Sequence, residues 1–223
     1  VVRPCPNAVM LGFLIALLVR RLLNCACLCI TSSEFRQVRT IRSEAEQEMH
    51  WAASEQLLLD IDMVDMGIGF EDASKGAGCL QADFANMYLG GGVLSGGCVQ
   101  EEIRFSICPE LCVAMLVCPC MLPHEAIVIV GADQFSAYAG YGFDLKFGGP
   151  HLQRCGQTDT DGTPLVAIVA MDALDYRGTD NDLATQMTLK NELRELEKAV
   201  AAFGPVDDDA LRTWPVVATG NWG

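Results

Sequence analysis

QADFANMYLGGGVLSGGCVQEEIRFSICPEL, residues 81–111, is the stretch from which the fold is read. LQADF (80–84) is a short strand candidate that leads through Ala85 and Asn86 into a glycine run. Gly90, Gly91, Gly92, Gly96 and Gly97 then crowd into eight positions. Beyond them Val99, Ile103, Ile107, Leu111 and Met115 keep a four-residue beat that predicts helix from Cys98 to about Val117. Pro109 falls inside that beat, so two short helices are expected rather than one. Strand, bare loop and helix in that order set flexible backbone directly before two adjacent acids, Glu101 and Glu102.

Two uninterrupted β-branched runs follow, AIVIVGA (126–132) and LVAIVAMDAL (165–174), of the kind found in strands buried on both faces. Between them GGPHLQRCGQTDTDGTP (148–164) reads as loop. NDLATQMTLKNELRELEKAVAAFG (181–204) predicts a helix capped by Asn181 or Asp182 and stopped at Gly204. WPVVATGN (214–221) returns to strand and loop. Upstream, 32–56 is polar surface around a strand candidate at 36–41, and LLLDIDMVD (57–65) predicts a strand before a turn at Gly67-Ile68-Gly69. Strands alternating with helices argue for an α/β fold with a mixed sheet flanked by helices.

A chain of 223 residues, 51% hydrophobic and 20% charged, is long enough for one substantial α/β domain with a buried core. Its formal net charge of −14 argues against a nucleic-acid-binding surface, which gains affinity by neutralising phosphates with Lys and Arg. An anionic ligand is still allowed, held by local donors against the global field. The 11 cysteines are odd in number and sit in apolar runs such as CACLC (25–29) and ICPELCVAMLVCPC (107–120). That pattern fits buried, reduced thiols in a cytosolic or nuclear protein better than a secreted disulfide scaffold. Cys108, Cys112, Cys118 and Cys120 match no common metal-site spacing. AVMLGFLIALLV (8–19) is apolar for 12 residues before Arg20 and Arg21, short of the ~20 a spanning helix needs. A core or accessory helix is the expectation there, ahead of a membrane or signal segment.

A glycine loop between a strand and a helix can take φ > 0 and bring N–H groups up to a ligand with no side chain in the way. Successive N–H groups backed by a helix N-terminus form a nest for phosphate oxygens; the bland alternative is a mobile loop. A dinucleotide-binding fingerprint fails on detail, because Gly90 and Gly92 open it but Ser95 holds the third glycine position. Adjacent acids on a helix diverge by about 100°, so these are not an inverting pair with carboxyls ~6.5–9.5 Å apart across a water. They suit a division of labour. One grips a sugar hydroxyl while the other, its pKa raised by partial desolvation, gives a proton to a departing oxygen. Taken alone, two acids at a helix start are most simply surface charge favoured by the helix dipole.

The quoted stretch resembles the signature region of the poly(ADP-ribose) glycohydrolases, in which three glycines and a spacer precede Gln-Glu-Glu. Here Gly90-Gly91-Gly92 and seven further residues lead to Gln100-Glu101-Glu102, with Asp83-Phe84-Ala85-Asn86 upstream. The similarity continues at GADQFSAYAGY (131–141), LVAIVAMDAL (165–174), NELRELEKAVAAFG (191–204) and VATGNWG (217–223). It implies a macrodomain that binds ADP-ribose units and cleaves the ribose–ribose bond of poly(ADP-ribose). By the same resemblance Glu102 is the general acid, and Glu101 positions the ribose and helps stabilise the oxocarbenium-like state. Gln100, Asp83 and Asn86 order that site, and Gly91 and Gly92 lie along the diphosphate. Tyr141 covers the adenine, a stacking contact that suits an aromatic ring. Glu71, in GFEDA, stands near the adenine, and Asn221 belongs to the phosphate-associated Gly-Asn-Trp-Gly loop.

Two departures from the family pattern are mild, Ala82 in place of Val and Phe70 in place of Ile. The larger one is the end, since the family continues past Gly-Asn-Trp-Gly with another glycine-rich loop and more core. The expectation is a fragment truncated at both ends: an N-terminal apolar helix and accessory segment at 1–56, then a partial macrodomain-like catalytic domain at 57–223, incomplete at the C-terminus. The implied chemistry requires no metal or redox cofactor. The implied partners are poly(ADP-ribose) and poly(ADP-ribosyl)ated proteins, with no direct DNA or RNA binding and no membrane attachment, in the nucleus or cytoplasm. One rival is a macrodomain that only binds ADP-ribose, or an inactive fragment; retention of both acids argues against it. The other is a membrane-attached or cysteine-metal interaction protein, resting on residues 1–30 and the cysteine runs.

Overall fold

The structure, a computed structural model, describes residues 34–39, 78–151, 165–176, 183–204 and 216–222, with single positions at 53, 55, 61 and 214. The two β-branched runs become β3 (Glu125–Val130) and β6 (Ala167–Asp172), the latter buried along its whole length. With β1 (Glu34–Arg39), β2 (Cys79–Ala85) and β7 (Val216–Ala218) they form a five-stranded sheet in the order β1-β3-β6-β2-β7. β2 pairs parallel with both β6 and β7, while β3 runs antiparallel to β6 and to β1. The sheet is mixed, as the alternation of elements predicts.

Side chains of a strand alternate between faces, and both faces here are covered. Ile127, Ile129, Ile168 and Ala170 pack with Ile103, Phe105 and Ile107 of α1 (Gln100–Ile107) and with Leu111 and Met121. Leu80, Ala126, Val128, Ala167, Val169 and Met171 pack on the other face with Ala201 and Ala202 of α4 (Leu189–Phe203). Each fully buried aliphatic side chain contributes roughly 1.5–3 kcal/mol relative to exposure, so these two apolar layers hold the sheet between helices. Pro109 acts as predicted. α1 stops at Ile107, a 3-10 turn runs from Pro109 to Val113, and α2 (Ala114–Val117) follows.

Two expectations need correction. The helix over 181–204 is interrupted: α3 (Leu183–Gln186) ends, and α4 starts at Leu189 behind an extended Thr188 with φ −80° and ψ 141°. Thr188 takes the N-cap place and its carbonyl accepts the Glu192 N–H at 3.0 Å. The stop at Gly204 stands, with its N–H on the Val200 carbonyl at 2.8 Å. The loop expected from 148 begins as strand, because β5 (Lys146–Pro150) pairs antiparallel with β4 (Ser136–Ala139) in a separate hairpin. Its glycines allow backbone to approach backbone: a Cβ on Gly148 would stand 3.1 Å from the Tyr138 nitrogen.

The apolar segment 8–19, the strand at 57–65, the turn at 67–69, the loop beyond 151 and the caps Asn181 and Asp182 lie outside the described residues, Ile61 apart. β1 comes from the segment ahead of residue 57 and pairs with β3 over its whole length. Among the described residues no helix is long and apolar enough to cross a membrane.

Candidate active site

β2, β6 and β7 run parallel, so their carboxyl ends share one edge of the sheet. Loops leaving such an edge are where open α/β sheets bind ligands. β2 stops at Ala85, opposite Asp172 of β6. The Asn86 Oδ1 then accepts the Tyr88 N–H at 2.9 Å, a side-chain turn that tips the chain off the strand. Within the glycine run the Gly91 N–H donates to the Tyr88 carbonyl at 3.1 Å and the Gly97 N–H to the Gly92 carbonyl at 3.0 Å. Gly90 and Gly91 hold φ of +89° and +48°, where L side chains are strained.

Every residue of α1 is buried, including Glu101 at 2% and Glu102 at 6% exposure. Buried carboxylates need partners, and the loop supplies them. Glu101 accepts the Gly90 N–H at 2.5 Å and the Asn86 N–H at 2.9 Å. Glu102 accepts the Gly92 and Val99 N–H groups, each at 2.9 Å. The bond from Val99 is the reach-back half of a capping box, made with no hydrogen-bonding side chain at the N-cap. A Cβ on Gly91 would stand 2.7 Å from an oxygen of each acid, and a Cβ on Gly97 would run into the Glu102 carboxyl.

Successive helical positions point about 100° apart, yet the loop folds across both acids and the carboxyls converge on Gly91. At Gly91 and Gly97 the backbone is bare because the carboxylates occupy the space that a side chain would fill. Of the N–H groups expected to form a phosphate nest, those of Gly90 and Gly92 donate to the acids and that of Gly91 to a carbonyl. Burial pushes the Glu101 carboxyl up to about 9, with the Asp83 and Glu102 charges adding to the rise and the two N–H bonds opposing it. Glu101 therefore keeps its proton at neutral pH.

Gln100 docks this helix on the sheet. β7 covers the edge of β2 only from Cys79 to Gln81. Past that point the Gln100 amide accepts the Phe84 N–H at 2.8 Å and donates to the Ala82 carbonyl at 3.2 Å. A carboxamide offers the same donor and acceptor as a peptide group, so Gln100 extends the ladder where β7 has ended. One helical turn on, buried Arg104 donates to the Gln81 side chain. Asp83, two residues from Gln81 on the same face of β2, is fully buried and close enough to act on Glu101.

Tyr141 is 44% exposed and precedes the 3-10 turn Gly142–Asp144. The thiol of Cys98, just ahead of α1, donates to the Gly142 carbonyl, so Tyr141 is one residue from a direct contact with the acid-bearing segment. Asn221 is exposed in the loop that leaves β7 at the same sheet edge. Asn86 and Gly92 therefore bind Glu101 and Glu102 directly and Gly91 lies against both carboxyls, while Gln100 binds β2 beside them, Asp83 acts on Glu101 and Tyr141 is joined through Gly142. Asn221 shares the sheet edge alone, and Glu71 lies outside the described residues.

Sequence reasoning gave Gly90 and Gly97 to a phosphate nest rather than to the acids, took Val99 only as an apolar helix position, and assigned Cys98 no role. Both glycines were visible in the run, and the role of Val99 was signalled by a Glu at the third helical position. Cys79, Cys98, Cys108, Cys112, Cys118 and Cys120 are free thiols, and burial pushes Cys108 and Cys112 up to about 11. Among the described residues no group of three or more His, Cys, Asp or Glu side chains is placed to hold a metal ion.

A family profile of the poly(ADP-ribose) glycohydrolases, with macro domain fold, matches residues 48–223. Poly(ADP-ribose) glycohydrolase 1 of Caenorhabditis elegans is 44% identical over 154 residues, 65% of this chain and 19% of that protein. Poly(ADP-ribose) glycohydrolase 1 of Arabidopsis thaliana is 42% identical over 150 residues, 67% of this chain and 26% of that protein. Poly(ADP-ribose) glycohydrolase 2 of Caenorhabditis elegans is 38% identical over 201 residues, 87% of this chain and 40% of that protein. The chain thus spans less than half the length of each of these relatives. Because the profile runs unbroken from before the glycine run, through both buried acids, to the last residue, the chain belongs to the poly(ADP-ribose) glycohydrolase family and carries its macro domain fold.

Proposed function

We propose that the chain hydrolyses the ribose–ribose glycosidic bonds of poly(ADP-ribose) and releases ADP-ribose, with Glu102 as general acid. The observation that carries this reading is the convergence of two buried carboxyls beneath a loop made of glycines. Access favours Glu102 as the donor. Exposed Gly91 lies against both carboxyls, but half-exposed Gly97 lies against Glu102 alone, whereas Gly90, whose N–H is held by Glu101, is buried and backed by Met115. A substrate oxygen thus meets Glu102 across bare backbone.

In the proposed reaction Glu102 gives its proton to the departing ribose oxygen as the glycosidic C–O bond breaks. The carboxyl cluster offsets the positive charge that develops on the sugar ring. A water then adds to the anomeric carbon, and the proton it releases returns to Glu102. Glu101 holds a ribose hydroxyl, with Asp83, Asn86 and Gln100 fixing its geometry. The half-exposed ring of Tyr141 stacks on the adenine. Gly91, Gly92 and Asn221 follow the diphosphate, and Glu71 is assigned to the adenine end on sequence similarity alone. The proposed partners are the polymer and the proteins that carry it, in the nucleus or cytoplasm; the net charge of −14 supports the exclusion of DNA and RNA.

The raised carboxyl of Glu101 favours a second assignment, in which Glu101 is the donor. Release of ADP-ribose by the parent, Glu101→Gln and Glu102→Gln, with ADP-ribose binding measured by calorimetry, separates the two. Loss of about 10²-fold or more in Glu102→Gln, with binding kept, is the expected result. The same loss confined to Glu101→Gln transfers the role. A parent that binds without release is a reader of ADP-ribose and no hydrolase.

A further inference from the structure

We propose that Cys98 is a positioning residue whose thiol ties the loop carrying Tyr141 to the segment carrying the acids, and so sets where the stacking ring stands relative to Glu102. The inference rests on the reading of Tyr141 as the cover of the adenine.

Cys98 lies between the last glycine of the run and the N-cap of α1, at 6% exposure. Its Sγ donates to the Gly142 carbonyl, joining two segments 44 positions apart in sequence. The backbones are close as well, since a Cβ on Gly142 would lie 3.8 Å from the Cys98 carbonyl oxygen. The receiving side is a preformed turn. Gly140 and Gly142 hold φ of +71° and +59°, the Asp144 N–H meets the Tyr141 carbonyl at 3.2 Å, and the Leu145 N–H meets that of Gly142 at 3.1 Å.

A carbonyl oxygen has two lone pairs. At Gly142 the Leu145 N–H takes one and closes the turn, and the thiol takes the other. The turn is anchored at its far end by Leu145, 1% exposed in the core, and at its near end by Cys98. On the donor side nothing is loose. The residue after Cys98 gives its N–H to Glu102, and the next, Gln100, is clamped to β2 on both sides of its amide. The contacts that fix the acids therefore fix the thiol, and the thiol fixes the residue beside Tyr141.

Valine removes the donor and adds a methyl, alanine removes it without adding bulk, and serine keeps a donor on a shorter bond, so the set separates packing from hydrogen bonding. Release kinetics and ADP-ribose affinity are measured for Cys98→Val, Cys98→Ser, Tyr141→Ala and the Cys98→Val/Tyr141→Ala double variant, below their unfolding midpoints. Should Cys98→Val not fold, Cys98→Ala carries the same comparison. Loss of one hydrogen bond corresponds to about three- to tenfold in affinity. Cys98→Val is expected to raise KM and the Kd for ADP-ribose by that factor, with kcat within about twofold, and Cys98→Ser to recover most of it. With Tyr141→Ala already present, Cys98→Val is expected to change Kd by less than about twofold, the two effects being one.

Parent-like affinity in Cys98→Val overturns the proposal. So does an equal loss with and without the Tyr141 ring, which marks plain packing. A parent that releases and binds ADP-ribose while Cys98→Val matches it sinks the positioning role alone; a parent that does neither fails the functional reading and takes this inference with it.

Discussion

On one face of the sheet Glu101 and Glu102 are buried against backbone N–H groups; on the other, Lys198 is buried against carbonyls and a carboxylate. Lys198 is wholly inaccessible, and its three donors meet three acceptors: the carbonyls of Leu122 and Glu125 and the Oδ1 of Asp172 at 2.7 Å. The other oxygen of Asp172 takes Arg194 at 2.6 Å. Burial lowers the Lys198 pKa, while its bond to Asp172 opposes the shift. This cluster joins α4 to β3 and β6 with opposite charges, and every Lys198 donor is used. The acid cluster is built the other way, with Asp83 and Glu102 both adding same-sign charge beside Glu101. A buried ion pair with every donor used is a fastener. A buried group of like charges, holding a proton and roofed by glycine, is placed for chemistry.

The largest effects test that contrast head on. Glu102→Gln is expected to lower release by about 10²–10⁴-fold, the usual contribution of a general acid. Its amide also sets an N–H₂ group against one of two backbone N–H donors, so a stability loss of about 1–3 kcal/mol should accompany it in denaturant titration. Lys198→Met should do the reverse. Removing one partner of a buried pair costs about 3–5 kcal/mol of unfolding free energy, while release per folded molecule stays near the parent's. Equal stability losses in the two variants, with release kept in both, would break the distinction.

Gly97→Ala is a sharper probe, because Gly97 lacks a positive φ and the atoms nearest a Cβ there all belong to the Glu102 side chain. Displacing a reacting group by ~1 Å can cost about 10²-fold in rate, and steady-state release should fall by that order. Gly96→Ala, with open space at its Cβ, should leave release unchanged. Gln100→Leu strands the Phe84 N–H and the Ala82 carbonyl, and should cost about 1–3 kcal/mol in unfolding free energy.

A pH dependence tests the same contrast. The Glu101 carboxyl is raised in the folded state, so its contribution to stability is fully present below the ordinary carboxylate range. It is lost as pH rises through about 9. Between those limits the parent should lose stability relative to Glu101→Gln, read as diverging unfolding midpoints; parallel profiles would contradict the raised pKa.

Much of the frame was legible from local chemistry. β3 and β6 announce themselves as β-branched runs, β2 sits within one residue of LQADF at each end, and Pro109 and Gly204 stop helices as their backbone chemistry demands. What escaped depended on contacts distant in sequence. Nothing in MTL marks a break, and Thr188 caps α4 only because the chain turns there. The β4–β5 hairpin hid because GGP lacks the side chains by which strands are recognised. At the site, the glycine run and the paired acids were each visible, but the run was read as a cradle for phosphate. Its engagement with Glu101 and Glu102 follows from the burial of α1, which a sequence does not display. The Gln100 amide extending β2 could not be read at all, since it depends on where β7 ends.

The most direct measurement is ADP-ribose released from poly(ADP-ribose) by the parent, Glu102→Gln and Lys198→Met, each normalised to its folded fraction. Release by the parent and by Lys198→Met, with near-complete loss in Glu102→Gln, is the predicted result. Release by Glu102→Gln at the parent's rate would contradict the assignment of the glycine-roofed acids as the hydrolytic centre.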